Sequence, residues 1–151
     1  LYMTIYLFMN LAFFSCLFMI RKNDKYLENI DDLSGLSKHH PVLSFSMLII
    51  LFSLAGIPPL AGFFAKFYVF MAVLEKSMYF LAIVGLISAV VGSFYYLRII
   101  KVMYFDPEKE KYDTDHHFGL KISLLISTIF LLMYFVYPNS LINFVSKINV
   151  I

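Results

Sequence analysis

One lysine, Lys66, lies inside a long apolar stretch of the chain and could carry a proton there. Residues 42–74 are almost entirely apolar, and a continuous helix over them would run about 50 Å, against a hydrocarbon core of about 30 Å. A charge in the membrane interior costs at least about 2.5 kcal/mol, and a buried lysine can gain and lose its proton readily. The alternative is that Lys66 extends to the membrane surface, which the apolar turns on either side disfavour. We predict a protonatable site at Lys66.

The same stretch contains a helix break at Gly56, Pro58 and Pro59. Proline has no amide hydrogen and its ring clashes with the preceding turn, so the carbonyls of Leu54 and Ala55 should lose their helical partners. Carbonyls freed in a membrane need other donors, and such backbone is tolerated only where protein or a water-filled cavity covers it. Paired half-helices of this kind recur around ion sites in transporters.

Composition places the chain in a membrane and excludes several functions. Hydrophobic residues make up 61% of the sequence, and the mean hydropathy is +0.80, whereas soluble domains are about 45–50% apolar. The net charge of +2 gives no basic face for nucleic acid. Cys16 is the only cysteine, so the chain's own thiols cannot build a disulfide, a zinc site or an iron–sulfur cluster. The absence of Trp and the abundance of Phe, Tyr and Ile are typical of an AT-rich coding sequence, which favours an organellar genome as its source.

The apolar runs predict an all-α polytopic membrane protein with a single membrane domain and about four spans. These are residues 1–20, 42–74 (broken), 78–104 and 118–137, followed by an interfacial tail over 139–151. Four spans put both charged loops on one side. The loops and the adjoining helix end hold eight of the 12 Lys and Arg residues, so we expect them to face the cytoplasm or matrix. Gly85, Ala89 and Gly92 form a small-residue face on the third span, where we expect a partner helix.

Four further polar residues each allow two interpretations. Asn10, at the centre of the first span, needs an interhelical hydrogen bond, and packing is favoured over a place in a proton path. His39 and His40 stand just before Pro41 and could relay protons, but solvated loop histidines are the favoured interpretation. Arg98 is interpreted equally well as an anchor at the membrane surface or as a partner for a buried carboxylate.

The chain begins inside its first apolar run with Leu rather than Met. We expect a fragment of a larger protein or an unusual start codon. The run is not a signal peptide, because its positive charges follow the apolar residues instead of preceding them.

Motifs along the whole chain resemble the C-terminal part of NADH dehydrogenase subunit 2, the NuoN-type antiporter-like subunit of respiratory complex I. The motifs are DLSGL at 32–36, Pro41, SLAGIPPLAGFFAKFYVF at 53–70 and YYLR at 95–98. The resemblance implies that Lys66 takes part in proton translocation coupled to electron transfer from NADH to ubiquinone. Members of this family have about fourteen spans, so the chain is interpreted as the C-terminal piece of a split subunit.

The resemblance also implies cofactors, partners and a location. This chain would be a non-redox part of an enzyme and would bind no cofactor, while NADH, FMN, iron–sulfur clusters and ubiquinone would be used by other subunits. Its partners would be the N-terminal half of the same subunit as a separate chain, with Asn10 and the small-residue face as contacts, other membrane-arm subunits and the lipid bilayer. The mitochondrial inner membrane is favoured over a bacterial inner membrane.

Two alternatives remain open from the sequence. The chain could be a piece of an Mrp-type sodium/proton antiporter with no link to NADH, because those proteins share a looser version of the same motifs. It could also be a structural scaffold of the membrane arm in which Lys66 is inert.

Overall fold

A computed structural model describes residues 2–22, 25–107, 113–114 and 118–136, and these residues are mostly helical. The predicted fold class is confirmed: the described part is a helical bundle in which one span is broken. The α-helices are α1 (Tyr2–Met19), α2 (Leu36–His39), α3 (Pro41–Ala55), α4 (Ala61–Glu75), α5 (Tyr79–Phe105) and α6 (Phe118–Val136), with a 3₁₀ turn at Ile30–Leu33.

The described helices differ in how well they match a membrane. By length and composition, α1 and α5 are each long and apolar enough to cross a bilayer alone, whereas α3 and the apolar part of α6 are shorter. The broken span predicted over residues 42–74 corresponds to α3 and α4 together. The predicted interfacial tail over 139–151 lies outside the described residues.

Helix α1 is packed against α3, α4 and α6. Its buried residues Ile5, Met9, Ala12 and Cys16 recur every three or four positions, the spacing that places side chains on one face of a helix. Its opposite face exposes large apolar side chains. One side of α1 therefore forms the core of the bundle, and the other is available to lipid or protein.

Helix α5 is packed mainly through its C-terminal end. Ile100, Val102 and Met103 are its buried residues, and the first two-thirds of the helix expose large apolar side chains. The small-residue face lies partly against a neighbour within the chain, since a Cβ atom added at Gly85 would approach Phe70 of α4 to 3.1 Å. At Gly92 an added Cβ would meet nothing within 4 Å. The face thus contacts α4 at one end and borders open space at the other.

The charged loops form a small antiparallel sheet that the sequence pattern did not predict. Strand β1 (Ile20–Lys22) lies between β2 (Lys25–Tyr26) and β3 (Asp113–Thr114). Ile20 is opposite Thr114, and Arg21 is opposite Asp113. Strands of two or three residues are too short to show an alternating pattern, so the sequence carries no signal for them. Because β1 and β3 pair, the two charged loops lie on one side, as four spans require.

Candidate functional site

The break between α3 and α4 begins at Gly56. Its φ of +84° lies in the left-handed region, which glycine adopts without steric cost. Its N–H donates to Ser53 O at 3.0 Å, and the N–H of Ile57 donates to Phe52 O at 3.0 Å, a hydrogen-bonded helix ending typical of glycine. The following Pro58–Pro59 peptide bond is cis. The helix therefore ends where glycine and the two prolines predict.

Helices α3 and α4 approach closely at Ser53 and Gly62. The Gly62 N–H donates to Ser53 Oγ at 3.0 Å, and the Ser53 hydroxyl lies 3.2 Å from Met9 Sδ of α1. A Cβ atom on Gly62 would lie 1.8 Å from Ser53 O, far inside van der Waals contact. Gly62 therefore lets the first turn of α4 lie directly against the last turn of α3.

Lys66 fills the hydrogen-bonding gap left by the prolines. Its Nζ donates to Leu54 O at 2.8 Å and to Ala55 O at 3.2 Å. These are the two carbonyls that the sequence predicts to be freed, and they lie at the C-terminal end of α3, where the helix dipole favours a cation. The Lys66 side chain thus bends back to the break between α3 and α4.

Ser93 of α5 completes the polar cluster, and the sequence analysis missed it. Its hydroxyl lies 2.9 Å from Ala55 O and 2.8 Å from Ala89 O. Serine is common in membrane helices, where its hydroxyl bonds to the preceding turn. A serine in the sequence therefore does not by itself indicate a functional site. Only the fold shows that Ser93 faces the broken helix.

Lys66 also borders a cavity of about 540 Å³ between α1, α4 and α5. Tyr6 of α1 and Tyr96 of α5 line it together with Gly85, Gly92 and largely apolar side chains. A water molecule occupies about 30 Å³ of liquid volume and needs polar partners, and the lysine and the two tyrosines are the lining residues that carry such groups at the ends of long side chains. The cavity therefore gives Lys66 a second environment besides the break.

The two histidines lie at the opposite end of α3. His39 and His40 line a separate cavity of about 500 Å³ with Lys121 and Thr128 of α6. His40 immediately precedes α3, so about 20 Å of helix separates it from the carbonyls that bind Lys66. The structure does not bring the histidines together with the lysine.

Asn10 and Arg98 also lie outside the cluster. The Asn10 amide donates to Tyr6 O of its own helix at 2.7 Å, and its bond to another helix stays a prediction. Arg98 is exposed, and no ion pair to a carboxylate is found for it within the same residues. This favours the surface-anchor interpretation of Arg98 over the buried pair.

The chemistry that this arrangement allows is proton exchange at an amine. Across residues 2–22, 25–107, 113–114 and 118–136, no group of three or more His, Cys, Asp or Glu side chains could hold a metal ion. Lys66 is the ionisable side chain held by the broken helix, and the cavity beside it is large enough for water.

A family described as "NADH:quinone oxidoreductase/Mrp antiporter, TM" matches residues 1–92. Among curated proteins, the chain is 69% identical over 150 residues to NADH-quinone oxidoreductase subunit N of Pelagibacter ubique, covering 99% of this chain and 32% of that protein. It is 49% identical over 142 residues to the protein of the same name from Parvibaculum lavamentivorans, covering 94% and 29%. The chain thus spans about a third of the length of these relatives.

A solved structure shares the fold. A chain of respiratory complex I from Thermus thermophilus with bound aureothin matches with a TM-score of 0.74 and 23% identity, covering 91% of this chain and 31% of that chain. At that identity the match supports the arrangement of helices and carries no statement about activity.

Proposed function

This chain belongs to the NADH:quinone oxidoreductase/Mrp antiporter transmembrane family, and from that premise we propose that it is a segment of the proton-translocating membrane subunit of an NADH:quinone oxidoreductase. Lys66 is the residue that we propose takes up and releases the proton. The observation that carries this proposal is the pair of contacts from Lys66 Nζ to Leu54 O and Ala55 O. Similarity to the subunit N proteins favours complex I over an Mrp-type antiporter.

We propose two positions for the lysine, of which the structure shows the first. In the first, the charged amine donates to both carbonyls, and hydrogen bonds to a charged group stabilise by about 1.5–3 kcal/mol each. In the second, the side chain turns into the neighbouring cavity, where an N–H bond of the ammonium breaks, the proton passes to a water molecule and the nitrogen keeps the electron pair. Movement between the two positions would connect proton uptake to proton release.

We propose that the proton path is completed by partners. These are the N-terminal half of the same subunit, as a separate chain, and the other subunits of the membrane arm. NADH, FMN, iron–sulfur clusters and ubiquinone would be bound by other subunits, and this chain would have no redox role. That distribution stays a prediction from the resemblance.

We infer a bacterial inner membrane as the location. The relatives named above are bacterial, which weighs against the mitochondrial inner membrane that the sequence analysis favoured. Amino-acid bias was a poor guide because AT-rich genomes occur in bacteria as well as in organelles.

The test is replacement of Lys66 by Met in the assembled complex in membrane vesicles. We expect Lys66→Met to lower NADH-driven proton pumping about tenfold or more, because an ionisable amine with charge-assisted hydrogen bonds is lost. Pumping is followed with a pH-sensitive dye, quinone reduction by absorbance and assembly on a native gel. Lys76→Met is the matched control, because Lys76 is exposed just beyond α4 and its loss should leave pumping unchanged.

Each alternative function predicts a different result from the same vesicles. Normal pumping by an assembled Lys66→Met complex would contradict the proposal and support the scaffold. Sodium-driven proton movement that needs no NADH, with the chain absent from the NADH-oxidising band of the gel, would instead support the antiporter.

A further inference from the structure

Ser93 shares a hydrogen-bond acceptor with Lys66. The Ala55 carbonyl lies 3.2 Å from Lys66 Nζ and 2.9 Å from Ser93 Oγ, and a carbonyl oxygen has two lone pairs that can accept both donors. Ser93 Oγ also lies 2.8 Å from Ala89 O on its own helix. A hydroxyl has a single hydrogen, so Ser93 donates to Ala55 or to Ala89, but not fully to both.

The two carbonyls that bind Lys66 differ in their surroundings. Leu54 is among the residues that line the cavity, whereas Ala55 is not, and both residues are buried. The Ala55 carbonyl lies 2.9 Å from the Ser93 hydroxyl oxygen. When Lys66 turns away, Ser93 is the donor within reach of Ala55 in the described structure.

We propose that Ser93 is a positioning residue that donates to the Ala55 carbonyl whenever Lys66 leaves it. While the ammonium occupies both carbonyls, the Ser93 hydroxyl is free to turn to Ala89. When Lys66 enters the cavity, rotation of the Ser93 side chain pairs Ala55 and prevents an unpaired buried carbonyl, which is unfavourable. Ser93 thereby makes the departure of the lysine easier. This inference rests on the proposed function of Lys66.

The chain provides a matched control at the opposite end of α3. The hydroxyl of Ser46 donates to Val42 O of its own helix at 3.1 Å, and Ser46 lines the cavity of the two histidines, not the cavity beside Lys66. Ser46→Ala removes the same chemical group without touching the break between α3 and α4.

The test measures NADH-driven proton pumping by assembled complexes carrying Ser93→Ala, Ser93→Thr or Ser46→Ala. We expect Ser93→Ala to lower the pumping rate about fivefold, the effect of losing one neutral hydrogen bond. Ser93→Thr keeps the hydroxyl and should restore the rate, and Ser46→Ala should leave it unchanged. If Ser93→Ala prevents assembly, Ser93→Cys keeps the size of the side chain with a weaker donor and should show the same loss of rate.

The outcomes separate this inference from the proposed function. Lys66→Met is measured in parallel, and retained pumping by that variant would overturn both. If Lys66→Met abolishes pumping while Ser93→Ala or Ser93→Cys matches Ser46→Ala, only the role of Ser93 is overturned. Failure of Ser93→Thr to restore the rate would also overturn it, because the hydroxyl would then not be the group that matters.

Discussion

Proline interrupts helical structure at both ends of α3, with different consequences. At the loop end, Pro41 is the first residue of α3, a position where its missing N–H is not needed. Two backbone hydrogen bonds hold this junction, since His40 N–H donates to Leu36 O and Ser44 N–H donates to His40 O, each at 2.9 Å. Pro41 and Val42 at the start of α3 are exposed, unlike the end of α3 at Leu54 and Ala55.

At the other end of α3 the prolines follow the helix and remove donors that it needs. The carbonyls of Leu54 and Ala55 accept hydrogen bonds from side chains of two other helices, Lys66 of α4 and Ser93 of α5. A proline interruption therefore creates a candidate ion site when it frees backbone carbonyls away from water. A proline that frees no such carbonyls only begins a helix. Four predictions test that contrast.

The largest effect is expected from Gly62→Ala. The added Cβ would lie 1.8 Å from Ser53 O, a backbone atom that cannot give way, so α3 and α4 must separate. We expect a loss of about 3 kcal/mol or more in stability, seen as little or no assembled complex on a native gel. Gly92→Ala is the control, because an added Cβ there meets nothing within 4 Å. Normal assembly of Gly62→Ala would show that the close approach is not required.

Replacing Pro58 and Pro59 together by Ala tests the break itself. Two backbone N–H groups are restored and can pair with the freed carbonyls, so Lys66 loses its acceptors. We expect pumping to fall about tenfold, since charge-assisted hydrogen bonds are lost, while the complex still assembles. Pro41→Ala, at the other end of α3, should have no such effect. If the Pro58/Pro59 variant and Pro41→Ala pumped at equal rates, the prolines at the two ends of α3 would not differ in function.

Gly56→Ala should affect both stability and pumping. The left-handed conformation costs a non-glycine residue about 1–2 kcal/mol, and the new Cβ would lie 3.2 Å from Lys66 Cδ, which restricts the lysine. Gly35 has a similar φ of 74° at the loop end, so Gly35→Ala should lower thermal stability without changing pumping per assembled complex. A pumping defect in both variants would point to general destabilisation instead.

The smallest effect is expected at the histidines. His39→Gln and His40→Gln remove titratable groups about 20 Å from the lysine-binding carbonyls, so we expect pumping within about twofold of the unaltered complex, as for surface substitutions. The measurement is the pumping rate at a series of pH values. If either substitution changed the shape of the pH profile relative to the unaltered complex, the histidines would be part of the proton path.

The sequence predicted the backbone of this site better than its side-chain partners. Gly56, Pro58 and Pro59 act locally, so their effect on Leu54 and Ala55 could be deduced from chain chemistry, and the family resemblance was confirmed by residues 1–92. The identity of the donors depends on which helices pack together, which gives no periodic signal. This is why Ser93 was missed. The role of Lys66 in proton transfer stays a prediction.

Cys16 gives this segment a practical advantage for spectroscopy. It is the only thiol in the sequence and is fully buried in α1, so it should react slowly with maleimide or methanethiosulfonate labels. A cysteine introduced at exposed Ser77, just after α4, would then be labelled selectively within the segment. A spin label at that position could report whether α4 shifts during turnover, without prior removal of the native thiol.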